Sequence, residues 1–100
     1  MNIKKAKTDN QIVLILSGTL DTLTSPQLEE EISQIGEEVN KVRLDIKDVD
    51  YVSSNGLRCF IIMQKMMDSH QGEFIISHPH QMVKDVLNMT GFDTIMKIED

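Results

Sequence analysis

Ile12-Val13-Leu14-Ile15-Leu16 is a run of five branched apolar residues with no polar break. Such a run, too short for an isolated helix and rich in β-branching, reads as a strand. Its lack of alternation predicts cover on both faces. Val42, Leu44 and Ile46 alternate with Arg43, Asp45 and Lys47, which reads as a half-covered strand. Two strand signals some thirty residues apart, with a helical pattern between them, restrict the chain to a sheet with packed helices and exclude a helical bundle. A phosphopantetheine carrier, also acidic and also bearing a serine at a helix start, is a bundle and is disfavoured on this ground.

The other elements follow from local signals. Ile3 to Thr8 is a weak first strand, Asp9-Asn10 a turn and Gln11 to Ser17 the second strand, so the two form a hairpin. Gly18 is expected to end that strand. Ser25-Pro26 starts a helix, with serine at the cap and proline in the first turn, and Leu28, Ile32, Ile35 and Val39 recur at helical spacing. Ser54 is expected to cap and open a second helix that turns Leu57, Phe60, Ile61 and Met67 to the core and stops at Gly72. Glu73 to Ser77 is a strand, Pro79 starts a third helix bearing Met82, Val83, Val86 and Leu87, Gly91 ends it, and Thr94 to Ile98 is the last strand. The order is β-β-α-β-α-β-α-β. The fold class is α/β, one mixed sheet with helices on it, and residues 1–100 make a single domain, since right-handed crossovers favour parallel pairing.

Sixteen acids against ten bases leave a net charge of −6, which repels phosphate backbones and disfavours nucleic acid as a partner, while favouring a basic protein surface. Cys59 stands alone, so no internal disulfide forms, consistent with a reducing compartment. Lys4, Lys5 and Lys7 precede an apolar run too short for a signal peptide or a membrane span. The expectation is a cytoplasmic protein with no membrane insertion.

Chemistry concentrates at Asp50-Tyr51-Val52-Ser53-Ser54-Asn55-Gly56-Leu57. A helix start presents unpaired amides and a positive dipole end, which suit phosphate. A hydroxyl there is either a plain cap or an acceptor for a phosphoryl mark. Asn55 and Gly56 keep the turn small and are expected to let another protein approach. Gly18-Thr19-Leu20-Asp21 ends a strand at the same kind of rim, and Asp21 is either a turn former or an acid beside the phosphoryl acceptor. Asp45, Asp48 and Asp50 lack the spacing of a calcium loop, His78-Pro79-His80 lacks a third ligand, and Asp68-Ser69-His70 lies at a helix end. No nucleotide-binding or hydrolase motif is present, so no metal, cofactor or enzymatic activity is expected.

Gly18-Thr19-Leu20-Asp21, Val42-Arg43-Leu44-Asp45-Ile46 and Val49-Asp50-Tyr51-Val52-Ser53-Ser54-Asn55-Gly56-Leu57-Arg58, in this order and spacing, resemble the STAS domain family over nearly the whole chain. Within it the likeness is to the small bacterial anti-sigma factor antagonists. The resemblance implies that Ser54 is the phosphorylated serine and Asp21 the acid of the neighbouring loop. Ser53, Asn55, Gly56 and Leu57 then surround the site. It implies a partner that is both an anti-sigma factor and a serine kinase of the histidine-kinase-like ATPase fold. The unphosphorylated antagonist binds that partner and frees the sigma factor, and a PP2C-type phosphatase resets the cycle. Ser53 stands where many antagonists carry aspartate, so either hydroxyl is open to modification. The alternative is a STAS subunit without a switch, in a lipid-transport ABC complex or a stress-sensing assembly.

Overall fold

A computed structural model describes residues 1–100. Strands β1 (Asn2–Thr8) and β2 (Gln11–Leu20) form the expected hairpin, in antiparallel register with Lys5 opposite Leu14. Helix α1 (Ser25–Ser33) leads to β3 (Lys41–Val52), α2 (Ser54–Ser69) to β4 (Glu73–Ser77), and α3 (Gln81–Met89) with a short 3-10 turn (Phe92–Thr94) to β5 (Lys97–Glu99). The sheet order is β1-β2-β3-β4-β5, and every pair after the hairpin is parallel. No helix is long and apolar enough to cross a membrane.

The core is one cluster in which Leu14, Leu16, Val42, Leu44 and Ile46 from the sheet meet Leu28, Phe60, Met63, Met67 and Leu87 from the helices. Burial along β2 alternates. Ile12, Leu14 and Leu16 are buried, Val13 is half-buried and Ile15 is 39 % exposed. The expectation of two-faced cover for Ile12–Leu16 is therefore corrected. The helices pack on one face, and the other face carries Arg43, Asp45, Ser77 and the ion pairs of Lys41, Arg43 and Lys97 with Glu73 and Glu99.

Several element ends shift for identifiable reasons. Gly18 does not end β2. It takes φ +103°, and there the register against β3 slips by one residue, from Gly18↔Val49 to Thr19↔Tyr51, before pairing resumes. Strand β3 runs on through Asp48 and Asp50, because β2 continues to pair with it. Helix α1 stops at Ser33, where Gln34 and Ile35 donate to the carbonyls three residues back, so Val39 reaches the core from a loop rather than from the helix. The left-handed residue after α2 is Gln71, φ +56°, not Gly72. Gly72 is needed for space instead, since a Cβ there would collide with the Asn40 carbonyl. The last strand is shorter than Thr94–Ile98, because Phe92–Thr94 curls into the 3-10 turn.

Candidate functional site at the carboxyl ends of β2 and β3

Strands β2 and β3 end side by side, with Leu20 paired to Val52. The chain leaves one into the loop before α1 and the other into α2, so the Gly18–Asp21 and Asp50–Leu57 segments meet on one rim. Loops at the carboxyl ends of parallel strands are where sites collect. Backbone bonds fix the junction: the Ser53 amide donates to the Leu20 carbonyl at 2.8 Å. Asn55 Nδ2 donates to Thr22 Oγ1 at 3.1 Å, bridging the two loops through side chains.

The first turn of α2 resolves the two serines. Ser53, not Ser54, is the N-cap. Its backbone is extended (φ −84°, ψ 175°), and its hydroxyl accepts a long bond from the Gly56 amide at 3.4 Å. The expectation of Ser54 as the cap is off by one residue, because only Ser53 keeps the non-helical dihedrals that a cap requires. Ser54 is the first helical residue and is exposed, and its hydroxyl makes no hydrogen bond within the chain. The amides of Ser54 and Asn55 also lack partners, whereas that of Leu57 donates to the Ser53 carbonyl at 2.9 Å. No acidic residue lies in the first turn. An exposed hydroxyl thus stands beside two free amide donors at a positive dipole end, which favours an anion.

Gly56 and Leu57 lie under this surface rather than on it. Gly56 is buried, and a Cβ on it would sit 2.7 Å from Leu20 Cγ and 2.8 Å from Val52 Cγ1. It lets α2 press against the ends of β2 and β3, which replaces the expectation that it admits the backbone of another protein. Leu57 is half-buried against the core.

Asp21 is half-buried and organises its own loop. Its Oδ1 accepts from the amides of Leu23 at 2.9 Å and Thr24 at 3.0 Å. The Thr24 hydroxyl accepts from the Asp21 amide at 2.9 Å and donates to the Thr19 carbonyl at 2.7 Å, with Asp21 Oδ1 at 3.1 Å. The Thr24 amide does most to hold the Asp21 carboxyl below its usual range. Desolvation opposes it, and the Thr24 hydroxyl and Leu23 amide add to it. Asp21 bonds within its own loop and makes no hydrogen bond to Ser54, so its turn-forming role is the one with contacts. The loop bridge through Thr22 and Asn55, and the bond from Thr19 Oγ1 to Asp50 Oδ1 at 3.1 Å, had no signal in the sequence.

Other candidates are dispersed. His78 and His80 flank a shallow groove with Lys47 and Asp100, and no three potential metal ligands converge anywhere in the chain. Asp68 accepts from Gln64, the Ser69 hydroxyl donates to the Met66 carbonyl, and His70 Nδ1 lies 2.9 Å from the Val39 carbonyl, so these three form no relay. Burial, reinforced by the charge of Glu29, pushes the Cys59 thiol up to about 11 and leaves it unreactive.

Comparison with known proteins places this geometry among its relatives. The STAS domain pattern matches residues 2–100. BtrV of Bordetella bronchiseptica, a candidate anti-sigma factor antagonist, is 29% identical over 99 residues, covering 98% of this chain and 85% of its own. The anti-sigma-B factor antagonist of Bacillus subtilis is 26% identical, covering 98% of this chain and 90% of its own. Among solved structures, a candidate anti-sigma factor antagonist of Thermotoga maritima superposes with TM-score 0.90 at 24% identity, covering 98% of this chain and 86% of its own. The anti-sigma factor antagonist SpoIIAA in its unphosphorylated form gives TM-score 0.81 at 18% identity, covering 99% and 88%. SpoIIAA of Bacillus in its phosphorylated form gives 0.78 at 18% identity, covering 97% and 90%.

Proposed function

The chain belongs to the STAS domain family, and on that premise we propose that it is an anti-sigma factor antagonist switched by phosphorylation of Ser54. The observation that carries the proposal is the contrast between neighbouring hydroxyls: Ser53 is engaged as a cap, and Ser54 is exposed and unbonded. A kinase needs the second kind. The relatives named as antagonists, and the existence of SpoIIAA in both phosphorylation states, support the same reading.

The chain acts by binding and carries out no catalysis of its own. In the unmodified state, the surface around Ser54, Asn55 and the Asp21 loop docks the anti-sigma factor, a serine kinase of the histidine-kinase-like ATPase fold, in the cytoplasm, and the sigma factor is freed. Phosphorylation adds about −1.5 to −2 charge and three acceptor oxygens. The free amides of Ser54 and Asn55 solvate that charge locally. A docked partner would have to strip its remaining water, which costs more than the contact returns. A PP2C-type phosphatase restores the binding form.

The test is incubation with ATP and a cognate serine kinase of the histidine-kinase-like ATPase fold, followed by intact-mass measurement and site mapping. One phosphoryl group on Ser54, absent from Ser54→Ala, is the expected result. Modification of Ser53 reassigns the acceptor, and no mass gain returns the chain to the non-switching STAS subunit.

A further inference from the structure

Most basic side chains of the chain are already paired with acids. Lys5 and Lys7 pair with Glu31 and Glu38, Lys41, Arg43 and Lys97 with Glu73 and Glu99, and Lys84 with Asp100. Lys4, Lys47, Arg58 and Lys65 are in no ion pair. Lys4 lies on β1 across from Ile15, and Lys47 lines a groove with His78 and His80. Lys65 follows Ser54 by eleven residues, about three turns along α2. Arg58 follows it by four, so it is the uncommitted cation a single turn from the exposed hydroxyl.

Residues four apart on an α-helix stack on one face, with Cβ atoms about 5–6 Å apart. The Cα–Cβ bond tilts towards the amino end of the helix, which directs Arg58 back over the turn that Ser54 begins. An acid placed amino-terminal to a base at this spacing is the favourable order. Arg58 is half-buried and lines an open groove between α1 and α2 with Glu29, Ile32 and Ile62. No ion pair joins it to Glu29, and its guanidinium makes no hydrogen bond, so all five of its donors are free. The other charges about the rim are few. Asp21 is bonded to the amides of its own loop and feels the amino group of Met1, and Asp50 is bonded to Thr19.

We propose that Arg58 is the phosphate clamp of the switch: once Ser54 is phosphorylated, the guanidinium swings to the phosphate and holds it along the first turn of α2. This rests on Ser54 being the acceptor. Phosphate oxygens and a guanidinium match in a bidentate pair. A group of nearly two negative charges outcompetes the single carboxylate of Glu29. The clamp has two consequences. A phosphate so held cannot swing aside when a protein approaches. An ordinary phosphoserine, with a second pKa of about 6, is about one-tenth monoanion at pH 7. Pairing with Arg58 favours the dianion, lowers that pKa and makes the repelling charge nearly complete.

The test installs phosphoserine at position 54 during translation by amber suppression, so it depends on no kinase. Phosphorus NMR titration of the full chain then gives the second phosphate pKa, with each fold checked by circular dichroism. Asp21, Asp50, Glu29 and the amino group are common to every variant, so differences report the substituted cation. Removing the cation disfavours the dianion. Arg58→Gln is therefore expected to raise the pKa by about half a unit, Arg58→Lys by less and Lys65→Gln not at all. The Arg58 Nε–H resonance is expected to move on phosphorylation. Equal pKa values for wild type and Arg58→Gln, with that resonance unmoved, overturn the clamp and leave the Ser54 switch standing. A rise in Lys65→Gln as large as in Arg58→Gln assigns the effect to net charge and also overturns the clamp. A raised pKa in Arg58→Gln, with equal affinity of the anti-sigma kinase for the phosphorylated and unmodified wild type, removes the switch and keeps the clamp. Modification of Ser53 alone by the kinase overturns both.

Discussion

Gly56→Ala probes how the rim is built. The added methyl would meet Leu20 Cγ at 2.7 Å, Leu20 Cδ2 at 2.8 Å and Val52 Cγ1 at 2.8 Å. All three atoms belong to buried side chains, with Leu20 at 0 % and Val52 at 7 % exposure, so neither has open space to move into. Overpacking of this kind costs about 1–3 kcal/mol, and the presence of three simultaneous contacts argues for about 2. Replacing helical glycine with alanine returns about 0.5–1 kcal/mol in mid-helix. Gly56 sits in the first turn, where the lower figure applies. The net expectation is a loss of about 1.5 kcal/mol, or a fall in Tm of about 6–12 °C for a domain of this size. Urea unfolding followed by circular dichroism measures it, with an unchanged m-value showing that the denatured state is unaltered. Because the methyl levers the start of α2 away from β2 and β3, the Ser53 amide is also expected to exchange faster with solvent. Stability equal to or above that of the wild type would refute the claim that Gly56 is held by close approach of helix to sheet.

Three further outcomes follow from individual contacts. Cys59, buried with its thiol raised to about 11, is expected to resist alkylation at pH 8 in the native protein and to react once unfolded, as mass spectrometry reports. Asp21 has its carboxyl held below the ordinary range, so its contribution to loop order is complete at neutral pH and is lost only as pH falls through the lowered value. An NMR titration is expected to place its midpoint below that of unfolded aspartate, with the Leu23 and Thr24 amides moving with it. Arg43→Ala removes bonds to Ser77 Oγ at 2.7 Å and Glu99 Oε1 at 2.6 Å, so β5 is expected to lose hydrogen-exchange protection while β2 and β3 keep theirs.

The element order was readable because each strand and helix carries its own period. Val42, Leu44 and Ile46 are all buried, as their alternation implies. What stayed hidden depends on neighbours. Ile12–Leu16 reads as covered on both faces because aliphatic residues fill it, but burial is decided by where the helices pack. Ile35 and Val39 sit at helical spacing, yet α1 ends before them and both still reach the core region. Asp48 and Asp50 lie within β3 because β2 keeps pairing with it through two register slips, which no local pattern announces. The Ser53–Ser54 cap was ambiguous by one position, since two serines offer the same capping chemistry and only the dihedrals distinguish them. The bridge from Asn55 to Thr22 spans two loops distant in sequence and leaves no local trace.

The central claim concerns what an anion on Ser54 does to a docked protein. Its most direct test is the affinity of the anti-sigma kinase for the unmodified chain and for the chain stoichiometrically phosphorylated on Ser54, in the same buffer. The account predicts that phosphorylation weakens binding by about a hundredfold or more. Equal affinity, with the phosphate verified on Ser54 by mass, would contradict it.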